Sequence, residues 1–176
     1  MIKYIFTFLL SISIQGHSMT IDNVNDIRAD WRINSDQVMG GVSDVYFDQL
    51  DDNGLSYYRL SGDVRTANNG GFIQALMLIN NNFDAYKGIK IKVRGNGEKY
   101  FIWIRTPAAR FPWDRYSYEF YATNDWKEIE IPFSDLTKTA FYMPRSLNKS
   151  KIRTIAVAAY GKDMLAQVDI ANIELF

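Results

Sequence analysis

Short runs of alternating hydrophobic and polar residues, broken by turn residues, organise this chain. Ile89, Ile91 and Val93 alternate with Lys90, Lys92 and Arg94, the period-two pattern of a strand with one face buried. Gly95-Asn96-Gly97 follows, then the apolar run Tyr100–Arg105, so the two runs predict a β-hairpin. Val42–Leu50 and Leu55–Leu60 flank the turn residues Asp51-Asp52-Asn53-Gly54 and predict another. Phe72–Ile79, Tyr116–Tyr121 and Trp126–Ile131 read as strands, the last stopped by Pro132. Ile152–Ala159 is a run of small apolar residues suited to a sandwich interior, and Leu165–Phe176 alternates to the end of the sequence. Residues 20–30 suit an edge strand or a short turn, and 134–150 a polar loop. About nine or ten short strands at a spacing of about ten residues, with no amphipathic helix, predict an all-β sandwich or barrel.

One stretch fits no regular element. Trp31–Ser43 reads WRINSDQVMGGVS. Two adjacent glycines follow a large apolar Met39, and Asp36 can accept backbone N–H bonds and cap a turn. The stretch predicts a shaped loop with Trp31 and Met39 buried and Asp36 bonding the N–H groups that hold Gly40-Gly41. Asp36→Ala would then cost about 1–3 kcal/mol. Gly40-Gly41 and Gly70-Gly71 both lie at strand boundaries. They serve either as turns and bulges that keep register or as points where a ligand approaches the backbone, with Asp36 and Asn69 as polar contacts.

Composition narrows the chemistry. Aromatic residues make up 15% of the 176, which favours strands. The formal net charge is zero, which argues against nucleic acid or an anionic membrane surface as the main partner. Cysteine is absent and the one histidine is His17. Thiolate metal sites, a cysteine nucleophile and a Ser-His-Asp triad are therefore unavailable to the folded domain. Residues 1–18 read as a secretory signal peptide: Lys3, an apolar run from Tyr4 to Ile14, then Gly16-His17-Ser18 ahead of a cut before Met19. The run is too short to span a bilayer. This predicts a periplasmic or secreted domain over 19–176 with no integral membrane segment after leader removal, or a cytoplasmic one if Met19 is the true start.

Among the carboxylates Asp84, Asp114, Glu119, Glu128 and Glu130, no spacing singles out a pair for glycoside hydrolysis. Gly95-Asn96-Gly97 lacks the spacing and following helix of a phosphate loop, and Asp51–Gly54 is a turn, not a calcium loop. The segment that stands out runs from Arg105 to Tyr118. There Arg105, Arg110 and Arg115 interleave with Phe111, Trp113, Tyr116 and Tyr118, and Pro107 and Pro112 interrupt any regular ladder. These residue types form both protein-binding hot spots and sugar-stacking platforms. They are the candidate binding residues, against the plainer reading of a solvated loop over the core.

Four signatures then occur in order. They are Trp31 with Asp36-Gln37-Val38-Met39-Gly40-Gly41-Val42-Ser43; Asn69-Gly70-Gly71-Phe72; Arg94-Gly95-Asn96-Gly97 followed by Tyr100; and Trp126 with Ile131-Pro132-Phe133. Together they resemble the complex I intermediate-associated protein 30 family. The resemblance spans nearly all of the sequence after the leader. It implies a galactose-binding-domain-like jelly roll with no cofactor and no catalytic residues. It also implies a non-catalytic role in complex assembly through contacts with a protein partner. The mitochondrial members are assembly factors. This sequence differs from them in lacking a long N-terminal extension and an Arg-rich transit peptide. The jelly roll and the Trp/Tyr/Arg segment keep a second reading open, a carbohydrate-binding module.

Overall fold

A computed structural model describes residues 18–176; the leader reading falls almost entirely outside them. Two antiparallel six-stranded sheets face each other across an apolar core, with twelve strands among the described residues. The first sheet joins β3 (Tyr46–Asp52), β4 (Leu55–Val64), β12 (Met164–Leu175), β6 (Gly88–Gly95) and β9 (Lys127–Pro132) in that spatial order, with β1 (Met19–Asp22) also paired to β12. The second runs β10 (Thr137–Lys138), β8 (Tyr116–Tyr121), β7 (Lys99–Arg105), β11 (Thr154–Tyr160), β5 (Phe72–Leu78), β2 (Trp31–Ser35). This is a jelly-roll β-sandwich. No helix among the described residues is long and apolar enough to cross a membrane.

Alternation sends one set of side chains into the core from each sheet. Ile89, Ile91 and Val93 of β6 and Leu60, Val168 and Ile170 of its neighbours meet Ile73, Ala75, Met77, Ile102, Ile104 and Val157 of the second sheet, all fully buried. Burial of this kind contributes about 25 cal/mol per Å² of apolar surface.

The β3–β4 hairpin forms as expected, paired from Asp52↔Leu55 to Tyr46↔Ser61. Asn53 and Gly54 both have positive φ, at 54° and 84°, the pattern of a two-residue turn matched to strand twist. β3 starts later than the expected Val42, because Ser43 is fully buried against Asp36 and bonded to it.

The expected β6–β7 hairpin does not form: β6 pairs with β12 and β9, and β7 with β11 and β8. The chain crosses from one sheet to the other at Gly95-Asn96-Gly97. Gly95 and Gly97 donate N–H bonds to Thr123 and Ala122 O. The Asn96 amide donates to Leu165 O at 2.7 Å and accepts from the Tyr100 hydroxyl, which in turn accepts from Gln167 N–H at 2.8 Å. Alternation specifies a buried face on each run but not the sheet it joins.

Candidate functional site

The outward face of the second sheet is hollow at its centre. On β11, in the middle of the sheet, Ala156 lies between Trp103 of β7 and Leu76 of β5, and Ala158 between Phe101 and Gln74. Two methyl groups flanked by large side chains make a trough. Its floor is a separate apolar cluster, with Trp103, Ala156 and Ala158 buried and Phe72, Leu76 and Phe101 packed against them. The sequence reading of Ile152–Ala159 as interior therefore holds for Ile155, Val157 and Ala159 but not for these two alanines. Two rims deepen the trough into a groove of about 720 Å³. One carries Val38, Met39, Asn69 and Gly70, and the other comes from the 105–115 loop.

Asp36 builds the first rim. Ser35 caps a 3-10 turn over Asp36–Met39, which ends at Gly40 in the left-handed region. The Asp36 carboxylate is fully buried and accepts from the Ser43 hydroxyl, Ser43 N–H at 2.9 Å, Gly71 N–H and Phe72 N–H at 3.3 Å. Burial alone would raise this carboxyl, but these bonds outweigh it and hold Asp36 below the usual carboxylate value. A Cβ on Gly41 or Gly70 would stand 2.3 or 2.4 Å from the Asp36 carboxyl group, so glycine at both positions gives the carboxylate its room. Asn68 adds a side-chain bond to Gly40 O. Asp36 thus joins two segments more than 30 residues apart, bonding chiefly Ser43, Gly71 and Phe72, while Gly41 N–H goes to the Asp36 carbonyl.

Met39 is not buried as expected. It is 52% exposed on the groove rim beside Val38, because the turn directs it away from the core. Trp31 is half-buried, not buried as expected, because it opens the edge strand β2, so the first five residues of the expected loop are regular strand. Its indole N–H donates to Asp22 at 2.8 Å and its ring packs near Phe47 and Tyr58.

The second rim is held by Asp114, which is buried and accepts from Arg110 and Phe111 N–H and from the Tyr142 hydroxyl. Burial opposes the charge of Asp114, but these bonds and the neighbouring Arg105 charge outweigh it and lower its pKa. The Arg105 guanidinium donates to Phe111 O at 2.9 Å. Phe111 and Trp113 stack in parallel, centroids 5.2 Å apart, both exposed. Trp113 lines the groove, while Arg110 lies over the Tyr142 ring at 4.6 Å. Arg115 rests on Trp103, 3.8 Å from the ring centroid, with the exposed Tyr160 ring 5.1 Å away. Burial pulls the Arg115 guanidinium below the usual arginine value.

Of the Arg105–Tyr118 candidates, the groove thus gathers Arg105, Trp113 and Arg115. Tyr116 and Tyr118 are not part of it. They pair with Ile104 and Ile102 on the inward face of the sheet; Tyr116 is 1% exposed and donates its hydroxyl to Pro144 O, and Tyr118 packs on the core. Alternation along β8 decides this, since Ser117 and Glu119 take the outward positions. The groove also contains Trp103, Arg153 and Tyr160, which the sequence did not single out. The signal for Trp103 and Tyr160 was the outward register of β7 and β11, readable only once the pairing is known, and Arg153 immediately precedes β11.

The remaining motif residues lie elsewhere. On the first sheet Arg94 donates to Asp169 and Asp52 and lies over the Tyr57 and Trp126 rings, and Arg59 makes a two-bond pair with the same Asp169. Gly95, Gly97 and Tyr100 make the crossing described above. Pro132 ends β9 opposite Gly88.

The fold is shared with solved carbohydrate-binding modules. A family 11 module from Clostridium thermocellum, solved with a β-1,3-1,4-mixed-linked tetrasaccharide, superposes with a TM-score of 0.74 at 17% identity, over 90% of this chain and 95% of that one. A family 30 module of a cellulosomal cellulase from the same organism gives 0.65 at 15% identity, over 91% and 97%. An agarase matches with a TM-score of 0.62 at 10% identity, over 90% of this chain but 24% of that one. No curated protein matches the chain. The model of the complex I intermediate-associated protein 30 family matches residues 20–166, which include all four sequence signatures, and the chain belongs to that family.

Proposed function

We propose that this protein is a non-catalytic binding module whose ligand is carbohydrate, held in the groove on the second sheet. The observation that carries the reading is the trough itself. It is a concave face with an apolar floor of Trp103, Ala156 and Phe72, exposed rings of Tyr160 and Trp113 at its edge, and hydrogen-bonding groups of Asn34, Gln74 and Thr154 among them. Sugar rings offer apolar faces and hydroxyl edges, and such a surface meets both. The likeness to carbohydrate-binding modules, one solved with a tetrasaccharide and one from a cellulosomal cellulase, supports the same reading. An extracellular ligand also fits the sequence reading of residues 1–18 as a secretory leader. A glycan array and affinity electrophoresis against soluble polysaccharides test it. Binding that is weakened in Tyr160→Ala and Trp113→Ala is the expected result, and a flat response across all glycans overturns it.

Family membership brings a second reading, a role in complex assembly through a protein partner. Val38 and Met39 favour it, being 71% and 52% exposed side by side on one rim, an apolar pair suited to protein contact. A pull-down from the native host that returns the same profile for wild type and Trp113→Ala, with no reproducible partner, removes this reading.

A further inference from the structure

The arginines on the two outer faces differ in one respect. On the first sheet Arg59 and Arg94 are neutralised by Asp169, which is 1% exposed, with Asp52 as a further partner of Arg94. On the second sheet Arg105, Arg115 and Arg153 line one groove, and among the described residues no Asp or Glu lines it. None of the three has an ion pair among the described residues. Residues 1–17 contain no Asp or Glu that could supply one. The two carboxylates behind the rims are already engaged: Asp36 by Ser43, Gly71 and Phe72, and Asp114 by Arg110, Phe111 and Tyr142. The molecule as a whole is neutral, so the groove is a local concentration of positive charge.

Two donors on the groove floor are also unsatisfied. The Trp103 indole N–H and the Arg115 Nε–H are buried and find no hydrogen-bond partner among the described residues, and Trp103 is 6% exposed. Buried donors rarely go unpaired, and a half-buried guanidinium without a counter-charge carries a further cost. Arg115 meets its Trp103 ring through cation–π contact, and one of its terminal nitrogens donates to Trp113 O at 3.0 Å. Both are neutral partners and leave the positive charge uncompensated. Guanidinium groups match carboxylate and sulfate-type oxygens in geometry and charge.

Resting on the carbohydrate reading above, we infer that the groove selects an anionic saccharide, one whose carboxylate or sulfate-ester groups meet Arg115, Arg105 and Arg153 while its ring faces lie on the aromatic edge. Neutral glucans would leave Arg115 and Arg153 without a counter-charge and Arg105 with only the buried Asp114 near it.

The test is calorimetric titration of the full protein with three probes of equal length: an oligogalacturonate, a sulfated galactan oligosaccharide and a mixed-linked β-glucan tetrasaccharide. The expected result is that at least one anionic probe binds tenfold or more tighter than the neutral one, and that raising the salt from 0.05 to 0.5 M removes most of the difference, as about Debye-screened charge contacts require. The carboxylate and sulfate arms identify which anion is read. Arg153→Gln, an exposed position, and Arg105→Gln should each lower anionic affinity several-fold, whereas Lys127→Gln on the opposite sheet should not. Arg115→Lys follows with a melting curve beside it, since it keeps the charge but loses the planar stack. Equal or tighter binding of the neutral probe overturns this inference and leaves the carbohydrate reading standing. Binding of none of the three by protein with a wild-type melting curve overturns both.

Discussion

Removing the Asp36 carboxylate should unfasten the first rim and cost more than a single hydrogen bond. In Asp36→Ala the N–H groups of Gly71 and Ser43 lose their acceptor in a place where both residues are buried. The Ser43 hydroxyl keeps Arg65 O within 3.3 Å, so it is not counted as lost. At about 1–3 kcal/mol for each orphaned buried donor, the loss is about 2–6 kcal/mol. A typical domain has only about 5–15 kcal/mol to lose. A water entering the space would bring the result to the low end. Urea unfolding followed by tryptophan fluorescence measures it, read as a shift in midpoint at unchanged slope. A loss under about 1 kcal/mol would refute the reasoning, because the carboxylate would then not be holding buried donors. Two companion measurements separate this from loss of bulk. Asp36 has a folded-state pKa below its unfolded value, so its stabilisation is present above the unfolded pKa of about 4 and is lost as pH falls through the folded pKa. The stability gap between wild type and Asp36→Asn should therefore be constant from about pH 5 to 8 and narrow below about pH 4. Gly70→Ala places a Cβ 2.4 Å from Asp36 Oδ2. Its penalty should shrink in the Asp36→Ala background, with a coupling of about 0.5–3 kcal/mol.

Asp169→Ala should destabilise by about 3 kcal/mol, the low end for a buried ion pair because both arginines reach solvent; urea unfolding measures it, and a loss below about 1 kcal/mol would mean that the arginines re-pair. Tyr100→Phe removes a hydroxyl that both donates to Asn96 and accepts from Gln167 N–H. It should cost about 1–3 kcal/mol, seen as a lower melting temperature with the fold intact by circular dichroism. Trp113→Ala, at an exposed rim position, should change stability by no more than about 0.5 kcal/mol. It should weaken groove ligands by about 1 kcal/mol, roughly fivefold, through lost stacking; a destabilised variant with unchanged affinity would make the Phe111–Trp113 pair structural.

The strands were legible because period two and turn residues are local signals. Lys90–Arg94 announces β6, and Asn53-Gly54 announces the β3–β4 turn. The crossing at Gly95–Gly97 was not legible as such, since its partners, Leu165 and Gln167, lie about 70 residues away and glycines serve hairpins equally well. The groove was half legible. The 105–118 segment supplied Arg105, Trp113 and Arg115, but Tyr116 and Tyr118 carry the same residue types and face the core. Which member of an aromatic run points outward depends on the register with β7, where Tyr116 stands opposite Ile104. Ala156 and Ala158 were invisible for the opposite reason. Small apolar residues signal burial, and burial beneath a groove floor has the same sequence signature as burial in the core.

The WRINSDQVMGGVS stretch is both scaffold and site wall, and one carboxylate accounts for the combination. Asp36 spends its bonding capacity on Ser43, Gly71 and Phe72, so it has no acceptor turned toward a ligand and adds no exposed negative charge to the groove. What it does instead is fix Met39, Asn69 and Gly70 as one edge before any ligand arrives. Ordering a loop on binding costs free energy that a preformed wall avoids. The opposite rim uses the same device with Asp114 buried under Arg110 and Phe111. Both rims are thus tied down by carboxylates hidden behind them, while the charge left facing the groove is the positive charge of its arginines. That separation, with acidic groups shaping the walls and basic groups lining the space, is what gives a neutral molecule a cationic groove.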